Sequence, residues 1–290
     1  MTHTARLRTH PETFRRLTGV TPEAFHHLLP SLHPRYHAWR EKRLTRPHRK
    51  RRIGGGRRFT LELEDKLLML LFSYRTSATH AFLGFLFGID DSNVGRNMNP
   101  LKPLLADIFR IPEKKIDLSE DEIAELFFDG TEQAVHRPKR GQRQWYSGKK
   151  KRHTIKHQVV VVRRKKKRGR GVHKRRIRIA AVSRAFPGRT HDKTMYEEAG
   201  MARPPGAVAI GDNGYHGTDL LVPVKRKPGK ELTERQRKHN IAHSRLRICV
   251  EHGIGKMKTW RILADRYRNP LRNHTLDFKN IAGLHNLMFA

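Results

Sequence analysis

The sequence predicts a mixed α/β protein, a helical N-terminal region of about 115 residues followed by a domain built on a five-stranded sheet. Three observations predict it. Up to Met98 the apolar residues recur at helical spacing and are bounded by capping residues. After Asp117 they gather instead into short runs rich in β-branched residues, HQVVVV at 157–162 being the plainest. The chain of 290 residues, 36% of them hydrophobic, is long enough for one large core or two smaller ones.

Taken in order, residues 1–35 carry apolar positions at Leu17, Val20, Phe25, Leu28, Leu29 and Leu32 that fit one or two short helices. Thr21-Pro22-Glu23 reads as a helix start, with Thr21 as N-cap and Pro22 at the first helical position. Residues 36–58 read as a basic linker ending in Gly54-Gly55-Gly56. Thr60 then reads as the N-cap of a helix reaching about Tyr74. Its first turn holds Glu62, Glu64 and Asp65, which suit the positive end of the helix dipole, and LLMLLF at 67–72 gives it a wide apolar face. From Thr79, residues Ala81, Phe82, Phe85 and Leu86 keep helical spacing, Gly88-Ile89 supplies a turn, and Asp90, Asp91 and Ser92 cap a second short helix containing Val94 and Met98. This pattern fits a helix–turn–helix whose second helix enters the DNA major groove, and it also fits any two helices packed across a tight turn. On the first reading Ser92, Asn93 and Arg96 face DNA. Pro100 and Pro103 limit how far the second helix continues unkinked.

The strands are expected at Ile123–Phe128, which runs into Asp129, then His157–Val162, Ile177–Val182, Ala207–Ile210, which runs into Gly211-Asp212, and Leu220–Val224. A polar helix-forming stretch at 231–259 and a mixed C-terminal tail follow. Three parts are therefore expected: N-terminal helices and a basic linker over 1–58, a helix–turn–helix region over 59–116, and the α/β domain over 117–290.

Charge narrows the class. Lys plus Arg total 62 against 27 Asp plus Glu, a net charge of +35 and a pI near 11.2. The cations are blocked: residues 131–180 hold 20 of them against the single acid Glu132, and residues 40–58 hold ten against Glu41. The densest run, RRKKKRGR at 163–170, includes Arg163 and Arg164. Such blocks repel themselves unless a polyanion neutralises them, so the expected partner is nucleic acid; ribosomal and other RNA-binding proteins share the composition. The longest apolar run is far shorter than the roughly 20 residues of a membrane span, and MTHTARLRTH lacks the apolar core of a secretory signal. The lone Cys249 excludes a disulfide framework and a cysteine-rich zinc site and reads as a small buried apolar residue. The expectation is a cytoplasmic, nucleoid-associated protein with no membrane.

In so basic a chain the carboxylates at strand ends stand out. Asp129 follows LFF and Asp212 follows AVAIG, each where a buried strand emerges, and Glu251 lies in RICVEHGIGKMK at an expected buried turn of the final helix. Three such carboxylates from separate elements can converge on two Mg²⁺ or Mn²⁺ ions, which favour oxygen ligands, in a site where phosphoryl chemistry proceeds. Asp129-Gly130 and Asp212-Asn213-Gly214 are also strong turn signals, and Glu251 could pair with a neighbouring cation.

The segments FFDGTEQAVHRP (127–138), YSGKKKRHTIKHQVVV (146–161), FPGRTHDKTMY (186–196), AIGDNGYHG (209–217) and RICVEHGIGKMKTWRIL (247–263) resemble the DDE transposases of bacterial insertion sequences, in the group related to Harbinger-type transposases. IAGLHNL at 281–287 resembles the C-terminus of that group. The resemblance implies a ribonuclease-H-like mixed five-stranded sheet whose first and fourth strands lie side by side. It also implies Asp129, Asp212 and Glu251 as catalytic, metal-binding acids holding two Mg²⁺ or Mn²⁺ ions. Arg247, Glu251 and Lys258 occupy the last three places of a Tyr-Arg-Glu-Lys signature; Ser244 stands at the Tyr place, so no tyrosine role carries over. Steps of four and seven residues put these three on one helical face, where the cations could hold DNA phosphates. His191-Asp192 is a rival for the second acid; Asp212 is preferred because it ends a strand in an Asp-x-Gly-Tyr context. Lys149, Lys150 and Lys151, with Trp145 and Tyr146, fall between the first two strands, where they fit phosphate contact and base stacking, though Trp145 also fits core packing. His153, His157 and His191 are expected at the surface or facing DNA. The implied activity is binding of terminal inverted repeats in double-stranded DNA, strand cleavage and strand transfer to target DNA, by a homodimer or larger assembly. A catalytically inactive, DNA-binding relative is the alternative.

Overall fold

The computed structural model describes residues 3–45, 60–118, 122–164 and 177–289. The chain divides into two compact units: Met1–Arg110 with Trp260–Ile262, and Ile111–Thr259 with Leu263–Ala290.

The first unit is helical: α1 (His3–Arg8), α2 (Pro11–Thr18), α3 (Pro22–Leu44), α4 (Leu63–Thr76), α5 (His80–Phe87), α6 (Asp91–Met98) and α7 (Leu101–Phe109). Thr21 caps α3 as expected, its Oγ1 accepting from the Ala24 N–H at 3.2 Å. The expected linker at 36–58 is overturned in its first part, because α3 runs through Pro30 and Pro34 to Leu44. One buried stripe, Leu28, Leu29, Leu32 and Tyr36, crosses both prolines, and its packing outweighs the backbone bonds they remove. Residues 46–59, including Gly54-Gly55-Gly56, lie outside the described residues. Helix α4 begins at Leu63, so Thr60 is not its cap. One of the two acids of its first turn is buried and tied down: Asp65 Oδ1 accepts from the backbone N–H and the hydroxyl of Thr4 at 3.2 and 2.9 Å. Helices α5 and α6 form where the sequence placed them. Thr79 and Asp90 cap them, and Gly88, with a φ of +65°, ends α5 in the left-handed conformation that only glycine adopts readily.

The second unit is built on a mixed sheet of six strands, where five were expected: β1 (Glu122–Ala134), β2 (Tyr146–Ser147), β3 (Arg152–Arg164), β4 (Ile177–Val182), β5 (Phe186–Pro187) and β6 (Val208–Ile210). The short pairs β2 and β5 add antiparallel to β3, and the expected strand at Leu220–Val224 is reduced to one parallel bridge between Leu221 and Ile210. Pro223 offers no N–H to extend that bridge into a ladder. Long β3 is antiparallel to β1 and to β4, while β6 runs parallel to β1 with Phe127 opposite Ile210. The expected pairing of the first strand with the strand at 207–210 is thus present.

Both faces of the sheet are covered. On one, Leu126, Phe128, Val160 and Val162 pack with Met195 and Ala199 of α9 (Asp192–Ala199) and with Tyr215. On the other lies α10 (Glu234–Lys258), whose Gly253 sits over Val161, Ile177 and Ile179. A four-residue helix α8 (Gln142–Trp145) precedes β2. The mixed tail expected after 259 is instead ordered as α11 (Arg261–Ala264) and a largely buried α12 (His274–Phe289), which packs on β4. Asn286 of α12 acts as a surrogate strand. Its amide donates to the Ile179 carbonyl at 2.9 Å and its Oδ1 accepts from the Ile179 N–H at 2.8 Å, so polar groups along β4 are satisfied.

Candidate active site

Because β1 and β6 are parallel neighbours, Asp129 and Asp212 each stand two residues beyond the Phe127–Ile210 pair. Asp212 lies past the end of β6, where ligands of α/β sheets are usually bound. β1 instead continues past Asp129, which pairs with Val159, to Ala134, so the expectation that a strand ends at Asp129 is corrected. Each acid accepts from a backbone N–H close by in the chain. Asp129 Oδ1 accepts from the Gly130 N–H at 2.9 Å, and Asp212 Oδ1 accepts from the Gly214 N–H at 2.8 Å. Burial pushes the Asp129 carboxyl up to about 6; the Arg247 guanidinium opposes this, and the negative charges of Asp212 and Asp192 add to it.

Asp192 is the third acid brought to this end of the sheet. It opens α9, and its carboxylate lies beside Gly130 of β1 and Gly214. A Cβ on Gly130 would stand 2.9 Å from Asp192 Oδ1, and one on Gly214 would stand 2.8 Å from Asp192 Oδ2 and 3.0 Å from Asp212 Oδ1. Lys156 Nζ approaches Asp192 Oδ1 at 3.4 Å and donates to the Thr190 carbonyl at 2.9 Å. Tyr215, wholly buried, has a hydroxyl with no partner among the described residues. Burial, and then the charges of Asp192, Asp129 and Asp212, hold that hydroxyl well above its ordinary pKa.

Helix α10 supplies the opposite side. Thr233 and Gln236 start it with a reciprocal capping box, and His243, Val250, Gly253, Ile254 and Met257 bury one face. Arg247 lies at the margin of that face, 15% exposed, with Nη2 at 3.5 Å from Asp129 Oδ1. Lys258 is close enough to titrate with the site: desolvation and the like charge of Lys150 lower its pKa, while Asp129 and Glu132 raise it. Glu251 lies between them along the helix, on the flank the spacing predicts. Its turn is exposed, however, and two further helices follow, so the expectation of a buried turn in the final helix is corrected. Its carboxylate makes no ion pair or hydrogen bond with the described residues. No three His, Cys, Asp or Glu side chains among the described residues are grouped closely enough to hold a metal ion.

Asp129 and Asp212 nevertheless offer the carboxylate oxygens that a hard divalent cation favours, the charge of Asp212 helps push the Asp129 carboxyl up, and the buried Tyr215 hydroxyl has no partner among the described residues.

The expected nucleic-acid contacts are distributed unevenly. Lys149, Lys150 and Lys151 are exposed in the turn between β2 and β3, next to half-buried Trp145 and exposed Tyr146. Arg163 is engaged within the protein, paired with Glu125 and lying over the Phe127 ring at 5.3 Å. The Arg164 side chain and residues 165–176 lie outside what is described. In the first unit Ser92 and Arg96 are exposed on α6, and half-buried Asn93 accepts from Arg96 Nη1 at 3.1 Å. His191 is exposed and caps α9, and His153 is half-buried against Tyr146. His157 is corrected: it is buried, with Nδ1–H donating to the Ser183 carbonyl at 2.8 Å and Nε2 at 2.8 Å from His274 Nδ1. It faces inward because the strand alternation that buries Ile155 and Val159 carries residue 157 with them. The place of Asp192 beside Gly130 and Gly214 went unread in the sequence, which offered His191-Asp192 only as a rival for the second acid.

Residues 128–286, more than half of the chain, match the family described as DDE superfamily endonuclease, and residues 59–111 match the helix-turn-helix of DDE superfamily endonuclease. The chain is 29% identical over 285 residues to the probable transposase for insertion sequence element IS702 of Microchaete diplosiphon, covering 96% of this chain and 94% of the relative. It is 32% identical over 235 residues to the putative transposase for insertion sequence element IS112 of Streptomyces albus G, covering 80% and 82%. No solved structure matches.

Proposed function

The chain belongs to the DDE superfamily endonucleases, the insertion-sequence transposases, and from that premise we propose that it cuts DNA at the terminal inverted repeats of its own element and joins the freed 3′-hydroxyl to target DNA. The observation that carries this reading is the neighbourhood of Asp129 on β1 and Asp212 just beyond its parallel partner β6, with the cations Arg247 and Lys258 beside Asp129. The β1–β6 pairing within a mixed sheet covered by helices is what supports a ribonuclease-H-like catalytic domain over 117–290; residues 59–116 would form the end-binding region and 1–58 its N-terminal extension.

Asp129, Asp212 and Glu251 would hold two Mg²⁺ or Mn²⁺ ions. Bound there, such ions activate the attacking oxygen and stabilise the leaving one. The remaining work falls to the chain itself. Arg247 already neutralises part of the Asp129 charge, and its guanidinium is positioned to exchange that carboxylate for a phosphate oxygen of the cleaved strand. Lys258 and the exposed Lys149–Lys151 would neutralise the flanking phosphates. Both steps are in-line attacks on phosphorus, so positioning and charge account for most of the rate. Ser92, Asn93 and Arg96 on α6 would read the repeat in the major groove, and synapsis of two ends would need a dimer or larger assembly.

Mg²⁺-dependent nicking of a duplex carrying the element end tests this. Asp129→Ala, Asp212→Ala and Glu251→Ala should each lower nicking by at least about 10³-fold with end binding retained in a gel-shift assay. Unchanged nicking removes that residue from the mechanism. The exposed, unpartnered Glu251 favours a second reading, a relative that binds ends without cutting; it predicts end binding and no nicking in the unaltered chain.

A further inference from the structure

We propose that the C-terminal turns of α3 form a second wall of the DNA-binding surface and hold the backbone of one strand of a duplex in the cleft they share with α6. The proposal rests on the reading of α6 as the helix that enters the major groove, and it carries the surface beyond residues 59–111, which match the helix-turn-helix.

The cleft lies wholly within the first unit and has a volume of about 680 Å³. One wall exists because α3 continues through Pro30 and Pro34 to Leu44. Trp39, Arg40 and Arg43 stand on that wall at spacings of one, three and four residues, so a single helical face carries them. Facing them, α6 presents Asn93 and Arg96, two of the side chains expected to meet DNA.

Charge selects the occupant. Among the described residues that line the cleft, Arg40, Arg43, Lys66 and Arg96 are cations and Asp90 is the single acid, its Oδ1 already accepting from the Ser92 N–H at 2.9 Å. Lys66 is only 3% exposed, so its charge sits in the floor, where Nζ donates to the Tyr36 hydroxyl at 2.9 Å. Like charges gathered on one concave surface favour an anion among them. The Arg43 guanidinium lies 5.3 Å from the centroid of the Trp39 ring, which itself stacks on Tyr36 with centroids 5.7 Å apart. A long exposed side chain is thereby held against the wall and not left sweeping through solvent. Geometry selects the form of the anion. The major groove is about 12 Å wide, and a helix seated in it has a phosphate strand along each side. A cationic wall facing α6 is where one of those strands passes. Arg43 also stands in the last turn of α3, where any cation favours the negative end of the helix. Lys42 shares that turn and does not line the cleft, which separates the two roles.

The test follows binding of the full chain to fluorescein-labelled duplexes by anisotropy over a range of salt, one duplex of random sequence and one carrying the element end. Arg43→Ala should lower the slope of log affinity against log salt by about 0.9, the share of one phosphate contact, so the loss between about 50 and 200 mM salt becomes about three- to four-fold smaller. At low salt its affinity should fall by the same factor on both duplexes, because a backbone contact carries no sequence. Arg43→Lys should keep the slope, and Lys42→Ala, which removes an equal charge from the same turn, should change it far less. An equal change in Lys42→Ala overturns the proposal in favour of diffuse charge. A loss confined to the element end at unchanged slope overturns it in favour of a base contact, and a lowered thermal midpoint with unchanged binding overturns it in favour of a helix-end role. Undiminished preference for the element end in Arg96→Ala, beside the expected Arg43→Ala result, removes the reading of α6 and leaves the backbone contact standing. Binding of neither duplex by the unaltered chain overturns both.

Discussion

His157, His274 and His285 sit among apolar neighbours where an imidazolium is poorly solvated. Burial pushes His157 and His285 down to about 4 and holds His274 well below its ordinary value. An unfolded chain binds those protons near pH 6.5 and the folded chain does not, so the stability these residues contribute is fully present above pH 6.5. It is lost as pH falls from 6.5 toward 4, by up to about 3 kcal/mol for each of the first two. The thermal midpoint is therefore expected to fall steadily between pH 7 and pH 4.5. His285→Gln, which keeps a donor for the Ile177 carbonyl that His285 Nε2–H reaches at 3.2 Å, should flatten that slope. A midpoint insensitive to pH over this range refutes the account. At this scale the sequence was readable where chemistry is local. Thr21 and Asp90 cap helices as their types dictate, and Cys249 is a buried thiol. It was unreadable at His157, whose inward direction depends on which strands flank it.

Helix α6 shows what an element can be asked to do. Eight residues long, it buries Val94 and Met98 against its neighbours and leaves Ser92 and Arg96 in solvent. Asp90 Oδ1 accepts from the Ser92 N–H at 2.9 Å and so fixes the first turn. Asp90→Ala should lower stability by about 1 kcal/mol and weaken end binding through the disordered first turn. Arg96→Ala should leave stability unchanged and, if Arg96 reads a base, cost about 1–3 kcal/mol of preference for the repeat over random DNA, measured by competition gel shift. Equal loss on both DNAs would make Arg96 a phosphate contact. Element identity was largely legible here because caps, glycines and 3.6-residue spacing are short-range signals. The exceptions were tertiary: α3 ignored its two prolines, and Leu220–Val224 lost its strand to Pro223.

Across the whole molecule, charge outweighs every other feature. The 62 Lys and Arg are opposed by only 27 acids, and three of those, Asp129, Asp192 and Asp212, lie near one another in the second unit. If six to ten phosphates are engaged, affinity for DNA should drop by about 10³–10⁵ between 50 and 200 mM salt. A titration of binding constant against salt checks this, and a slope near zero would deny backbone contact. Among the described residues no helix is long and apolar enough to cross a membrane.

The helices with clear caps, the longer strands, the surplus of cations and the identity of the acids worth testing follow from the amino-acid order alone, because each depends on neighbours a few positions away. Which acids actually meet was decided by the fold. The parallel pairing of β1 with β6 is a contact between residues some eighty positions apart, and it sets Asp129 beside Asp212. The packing of α9 then brings Asp192 against Gly130 and Gly214, while the turn of α10 that presents Arg247 to Asp129 leaves Glu251 in solvent. Spacing along a chain states which residues share a face of one element; only the packed arrangement of several elements states which faces look at each other.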